Sequence, residues 1–201
     1  MSTKTIALLS IILLSSYLSS SQEISQSGNM SIGTRVTTNM FGNEGGSAGL
    51  GGQFRLRFSD KVNSEWFADY ITSTSNHLIK RDDYHIGWSL MFYTGPATSS
   101  SLLQPYILAG HCFDYSKMSE KKNPSNNSGR LSMAMQAGAG THINITPLFD
   151  FSLSAHYMIH LGKEIDHTIS DDHISFTKAG STLEGHLLTT LSINYKIGDL
   201  W

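Results

Sequence analysis

One cysteine in 201 residues excludes an intrachain disulfide framework and a paired-cysteine zinc site. Charge is scarce too. Asp, Glu, Lys and Arg make up 15% of the chain, against roughly 25% in ordinary soluble domains. The formal charge of −2 lacks the basic excess of a nucleic-acid binder, so no nucleic-acid partner is expected. No long run of one charge occurs, and aromatics reach 10%, which argues against a disordered tail. Mean hydropathy is −0.16, too low for a bundle of membrane helices. Helical periodicity is missing after the first twenty or so residues.

One apolar run is present. Ile6 to Leu18 follows Lys4 and precedes Ser19-Ser20-Ser21. A basic start, a short apolar centre and small residues before the cut describe a secretory signal peptide. Its length is below the ~20 residues of a spanning helix. The expected organisation is a signal peptide over 1–21 and a single exported domain over 22–201.

Everything after Gln22 reads with period two. In Ala48 to Phe58, Ala48, Leu50, Phe54, Leu56 and Phe58 oppose Gly49, Gly51, Gln53, Arg55 and Arg57. In Phe149 to Leu161, Phe149, Phe151, Leu153, Ala155, Tyr157, Ile159 and Leu161 oppose Asp150, Ser152, Ser154, His156, Met158 and His160. Segments 30–40, 65–71, 84–92, 105–115, 131–143 and 183–197 alternate in the same way, giving eight strands. Thirteen residues, as in 149–161, make ~43 Å of strand at ~3.3 Å each. Tilted about 45°, that rises about 30 Å, enough to cross the ~25 Å apolar band of an outer-membrane barrel.

The polar face carries Gly49, Gly51, Gly87, Ser89, Gly138, Gly140, Ser152 and Ser154, whereas the other face carries Phe, Trp, Tyr, Leu and Ile. An eight-stranded barrel has an interior just wide enough for side chains to fill, so small residues belong inside and bulky ones against lipid. The fold expected is an all-β, closed, antiparallel, up-and-down eight-stranded transmembrane barrel. With both termini at the periplasm, connections 72–83, 116–130 and 162–180 fall outside as long loops.

The leader, the eight alternating strands, the segment Pro105-Tyr-Ile-Leu-Ala-Gly110 and the terminal strand Ser192-Ile-Asn-Tyr-Lys-Ile-Gly-Asp-Leu-Trp201 resemble the small eight-stranded bacterial outer-membrane barrels, the OmpA/OmpX-like group. The resemblance implies residence in the outer membrane of a Gram-negative bacterium, contact with its lipids and lipopolysaccharide, and handling by the barrel-assembly machinery, which reads such terminal strands. It also implies envelope-integrity, adhesion or host-surface-contact roles.

The inward face is expected to hold a charge network that leaves no open pore: Arg35, Arg55, Arg57, Arg130 and Lys196 against Glu65, Asp69, Asp114, Asp150 and Glu184. If the last two strands pair across 162–180, His160 falls beside Glu184 and His186 beside Met158. His156, His160, Glu184 and His186 then form the alternative catalytic set of a barrel enzyme acting on lipid A or phospholipid. His160, Glu184 and His186 form the alternative metal set. The reading preferred is no enzyme, no cofactor, no metal, a monomer, and outside contacts through 116–130 and 162–180. A secreted lipocalin-like barrel that binds an apolar ligand is the other alternative.

Overall fold

A computed structural model describes residues 25–41, 47–75, 77–95, 101–170 and 173–201. The expected signal peptide therefore lies outside the described residues.

The strands are β1 (Asn29–Phe41), β2 (Ser47–Arg57), β3 (Val62–Ser75), β4 (Ile79–Tyr93), β5 (Leu103–Glu120), β6 (Asn127–Asn144), β7 (Phe149–Ser170) and β8 (His173–Asp199). Each pairs antiparallel with its sequence neighbour, and β1 pairs with β8 to close the barrel. Closure pairs the strand edges through most of the wall, which is what an apolar solvent demands. The outward residues are bulky and exposed: Leu50 (70%), Ile86 (63%), Leu131 (73%), Leu191 (51%) and Ile197 (50%) are examples. The alternate residues point inward and are buried, among them Arg35, Arg55, Asp69, Asp114 and Asp150. Aromatic rings sit toward the two ends of this apolar surface. Tyr70, Tyr84 and Tyr115 run side by side, with centroids 5.1 and 6.1 Å apart, and Phe149 packs on Tyr195 at 4.9 Å.

The end carrying the termini is closed by short connections, such as Phe58–Lys61 and Ile145–Leu148. Gly28 has φ +91°, and a Cβ there would run into the Trp201 backbone. Only glycine suits both demands. The Leu200 N–H donates to Gly28 O at 3.0 Å and Trp201 Nε1 to Ser27 Oγ at 2.9 Å.

The opposite end corrects the expected long loops. Much of 72–83, 116–130 and 162–180 is paired strand rather than loop, with only short turns described between the strands: Ser75 pairs with Ile79, Ser119 with Asn127 and Ser170 with His173. Polar surface residues concealed this, because strand projecting beyond an apolar belt need not alternate in hydropathy. The wall is uneven. β1 meets β8 only as far as the Phe41–Leu187 pair, so the first part of β8 pairs with β7 alone. A register shift between Lys163 and Ile165 is the kind of irregularity that bends a strand pair. The tall β7–β8 hairpin packs Ile165 and Ile174 against Ile79 and Met118 of β4 and β5. Asn126 Nδ2 also donates to Ile174 O at 2.7 Å.

Candidate functional site

The inward face is arranged in layers from the terminal end upward. Arg57 lies lowest, its guanidinium 4.3 Å from the Tyr93 ring centroid. It donates to the carbonyls of Ser59 and Asp60, at 3.3 and 2.9 Å, and to the Gln26 side chain. Beside it, in the turn after β2, the Asp60 carboxylate accepts the Gln26 N–H and the Ser25 hydroxyl, both at 2.9 Å. These bonds, led by the Gln26 amide, hold its pKa below the ordinary aspartate value.

Above Arg57, Arg55 reaches across the bore to Asp150, with Nη2 at 2.8 and 2.7 Å from the two carboxylate oxygens. Its Nε bonds Ser31 Oγ at 3.1 Å, and His142 and Ser152 complete the cluster. Asn194 bridges Asp150 at 3.0 Å to Gln53 at 2.6 Å. A cavity of about 30 Å³ touches Arg55, Arg57, Tyr93, His142, Asp150 and Lys196. That is room for about a water or two.

Next, Arg35 binds two acids, Glu65 at 3.0 Å and Asp69 at 3.1 Å, with its guanidinium 4.5 Å from the Phe67 ring centroid. Gly51 stands beside this group, and a Cβ there would collide with Asp69 Oδ1. An apolar layer follows: Phe67, Cys112, Ala134, Met158 and Leu188.

Over that layer lies a cluster that only partly matches the expected set. The predicted register is present, with His160 opposite Glu184 and Met158 opposite His186. The Glu184 side chain lies outside the described residues. His160 Nδ1 is 2.9 Å from Asp114 Oδ2, and His85 Nε2 is 3.3 Å from Asp114 Oδ1. The His186 ring stands 5.1 Å from that of His160. Asp114 is fully buried and accepts Ser116 and Ser132 hydroxyls at 3.2 and 3.1 Å. His156 is buried one step lower, and its Nδ1 has no hydrogen-bond partner among the described residues. Arg130, farther out, donates to Lys163 O at 3.0 Å.

Sequence reasoning missed His85 and His142. Both occupy inward positions of strands already identified, but nothing in the sequence brought β4 together with β7, or β6 together with β2. The diagonal meeting of β5 with β7 over β6 was also hidden. It depends on Ser132 and Ala134, which face Asp114 and His160 in register and are small enough to let the two side chains meet.

No protein-family model and no curated protein matches the sequence. Solved structures do match in fold. The outer membrane protein OprG of Pseudomonas aeruginosa is 17% identical with a TM-score of 0.59, over 85% of this chain and 96% of that one. Neisserial surface protein A is 13% identical with a TM-score of 0.56, over 87% and 100%. The N-terminal β-barrel domain of P. aeruginosa OprF is 14% identical with a TM-score of 0.55, over 85% and 98%. The chain therefore has the fold of the small eight-stranded outer-membrane barrels.

Proposed function

We propose that the chain is a monomeric integral protein of a Gram-negative outer membrane, exported by a signal peptide over residues 1–21, with a bore sealed by its own side chains and no catalytic activity. The observation that carries this reading is the inversion of an ordinary globular protein: Leu50, Leu131 and Leu183 are exposed while Arg35, Arg55 and Asp150 are buried. In water that arrangement would lose much of its hydrophobic stabilisation; in lipid it is favourable. It also disfavours the secreted carrier, whose apolar face would line the interior. Arg35 is paired with Glu65 and Asp69, and Arg55 with Asp150, at 2.7 to 3.1 Å, which supports a closed bore.

Catalysis finds less support. His156 and His160 are 3% and 2% exposed, with Ile79, Met118, Ile165 and Ile174 packed together farther up, which speaks against a lipid substrate reaching them.

With the termini in the periplasm, the paired segments 116–130 and 162–180 project from the cell. Lys121 and Lys122 are exposed at the tip of the first, suited to lipopolysaccharide phosphates. Membrane lipid, lipopolysaccharide, the barrel-assembly machinery and an extracellular ligand on these hairpins are the partners of this reading.

The test joins cell fractionation with heat-modifiable gel migration and planar-bilayer conductance. Outer-membrane recovery, a shift on boiling and no stable conductance are expected. Recovery as a soluble protein, or discrete channel steps, would overturn the reading. Altered lipid A acylation that is lost in His160→Ala with Glu184→Ala would restore the enzyme.

A further inference from the structure

We propose that His85, Asp114 and His160 bind one divalent first-row transition-metal ion, with zinc the natural probe. Three observations converge on this site, which goes beyond the structural role above.

The first is geometry. One ligand atom from each residue lies within 4.8 Å of the others, and the two contacts to Asp114 are 3.3 and 2.9 Å. Bonds of about 2.1 Å to a tetrahedral ion place its ligand atoms about 3.4 Å apart. Small side-chain adjustments close that difference. Two imidazoles and a carboxylate leave one position open, the pattern of a three-ligand zinc site.

The second is charge. Glu65 and Asp69 share Arg35, and Asp150 is held by Arg55. Asp114 has no such base. Among the described residues its partners are two imidazoles and two serine hydroxyls. It lies between an apolar layer below, Phe67 to Leu188, and the Ile79–Ile174 cluster above. Unless one of the imidazoles takes up a proton, this buried carboxylate has no cation beside it, which is costly there. A divalent ion supplies that charge.

The third is orientation. His160 Nδ1 makes no hydrogen bond among the described residues despite lying 2.9 Å from Asp114 Oδ2. A ring nitrogen that close to a carboxylate oxygen, without an aligned N–H between them, is compatible with an ion shared by the two. Ser116 and Ser132 hold the carboxylate in the manner of the outer groups that orient metal ligands.

The experiment uses the full barrel without a histidine tag, refolded in detergent micelles with or without zinc, dialysed, and assayed for bound metal. One zinc per barrel is expected, with loading during refolding faster than loading of the closed barrel. Asp114→Asn and His160→Gln should weaken binding more than about 100-fold, beyond the loss seen when only an outer group is removed. His156→Gln, which lies outside the trio, should leave it unchanged. Heat-modifiable migration checks that each variant folds. If the variants fail to fold, X-ray absorption of the zinc-loaded wild type decides: at least two imidazole nitrogens with oxygen in the shell upholds the site. Fewer than two imidazoles, no retained zinc, or folded variants that bind as tightly as wild type would overturn it and leave a hydrogen-bonded triad.

Discussion

Arg55 of β2 grips both carboxylate oxygens of Asp150 of β7, at 2.8 and 2.7 Å, across the two intervening strands β8 and β1. Opposite walls of the barrel are thus tied through its centre. Removing one partner strands a buried charge. Asp150→Ala should destabilise the barrel by about 3–5 kcal/mol. The double replacement Arg55→Met with Asp150→Leu should cost clearly less than Asp150→Ala, because no ion is then left unpaired. Urea titration of the barrel in lipid vesicles, followed by tryptophan fluorescence, gives both numbers. Equal losses in the two variants would show that the pair matters only as packing.

Gly51 supplies a steric prediction. A side chain there meets Asp69 Oδ1 and the Ala68 carbonyl, so Gly51→Val must push Asp69 from Arg35. A loss of about 1–3 kcal/mol is expected from overpacking. Gly52→Val is the comparison, since a Cβ at Gly52 has its nearest neighbour at 3.8 Å. The same titration should separate the two variants.

The outward face can be tested with a charge. Leu191 is 51% exposed and lies in register with Val36 and Leu153 in the middle of the belt. Leu191→Arg should cost about 2–4 kcal/mol at a bilayer midplane. Folding yield into vesicles should fall, while Thr190→Ser on the inward face should leave it near wild type. An unchanged yield for Leu191→Arg would remove lipid from that face.

Asp60 predicts a local pH effect. Its carboxylate, held below the usual range by the Gln26 amide and then by Ser25, ties the segment before β1 to the turn after β2. A depressed pKa means that this tie is present above the ordinary value of about 3.9 and is lost as pH falls through the lower folded value. The Gln26 amide shift should therefore titrate with a midpoint under that value in nuclear magnetic resonance. Asp60→Asn should abolish the transition. Asp60 is exposed, so the midpoint of global unfolding should barely move.

The strand count, the alternation and the side of each strand that faces outward were all legible in the sequence. They rest on local chemistry: a residue's size and polarity decide whether it fits a narrow bore or a bilayer. The pairing of His160 with Glu184 and of Met158 with His186 was legible too, because two adjacent strands around one connection allow few registers. The strand extensions were not. Residues 72–83, 116–130 and 162–180 carry mixed polar sequence, and their strand character comes from pairing with a neighbour rather than from a hydrophobic face.

The sequence by itself determined the alternation of small and ionic with bulky apolar groups, and side-chain volume favoured the bulky set outside, because a narrow bore has room only for the small one. Only the tertiary structure decided which inward groups meet. Arg55 finds Asp150 and Asp114 finds His85 and His160 because barrel closure and stagger bring distant strands to one height, and neither is encoded in any single segment. The packing of Ile165 and Ile174 on Ile79 and Met118 was decided there too. It depends on the β7–β8 hairpin outgrowing its neighbours, so that its inward residues reach those at the ends of β4 and β5.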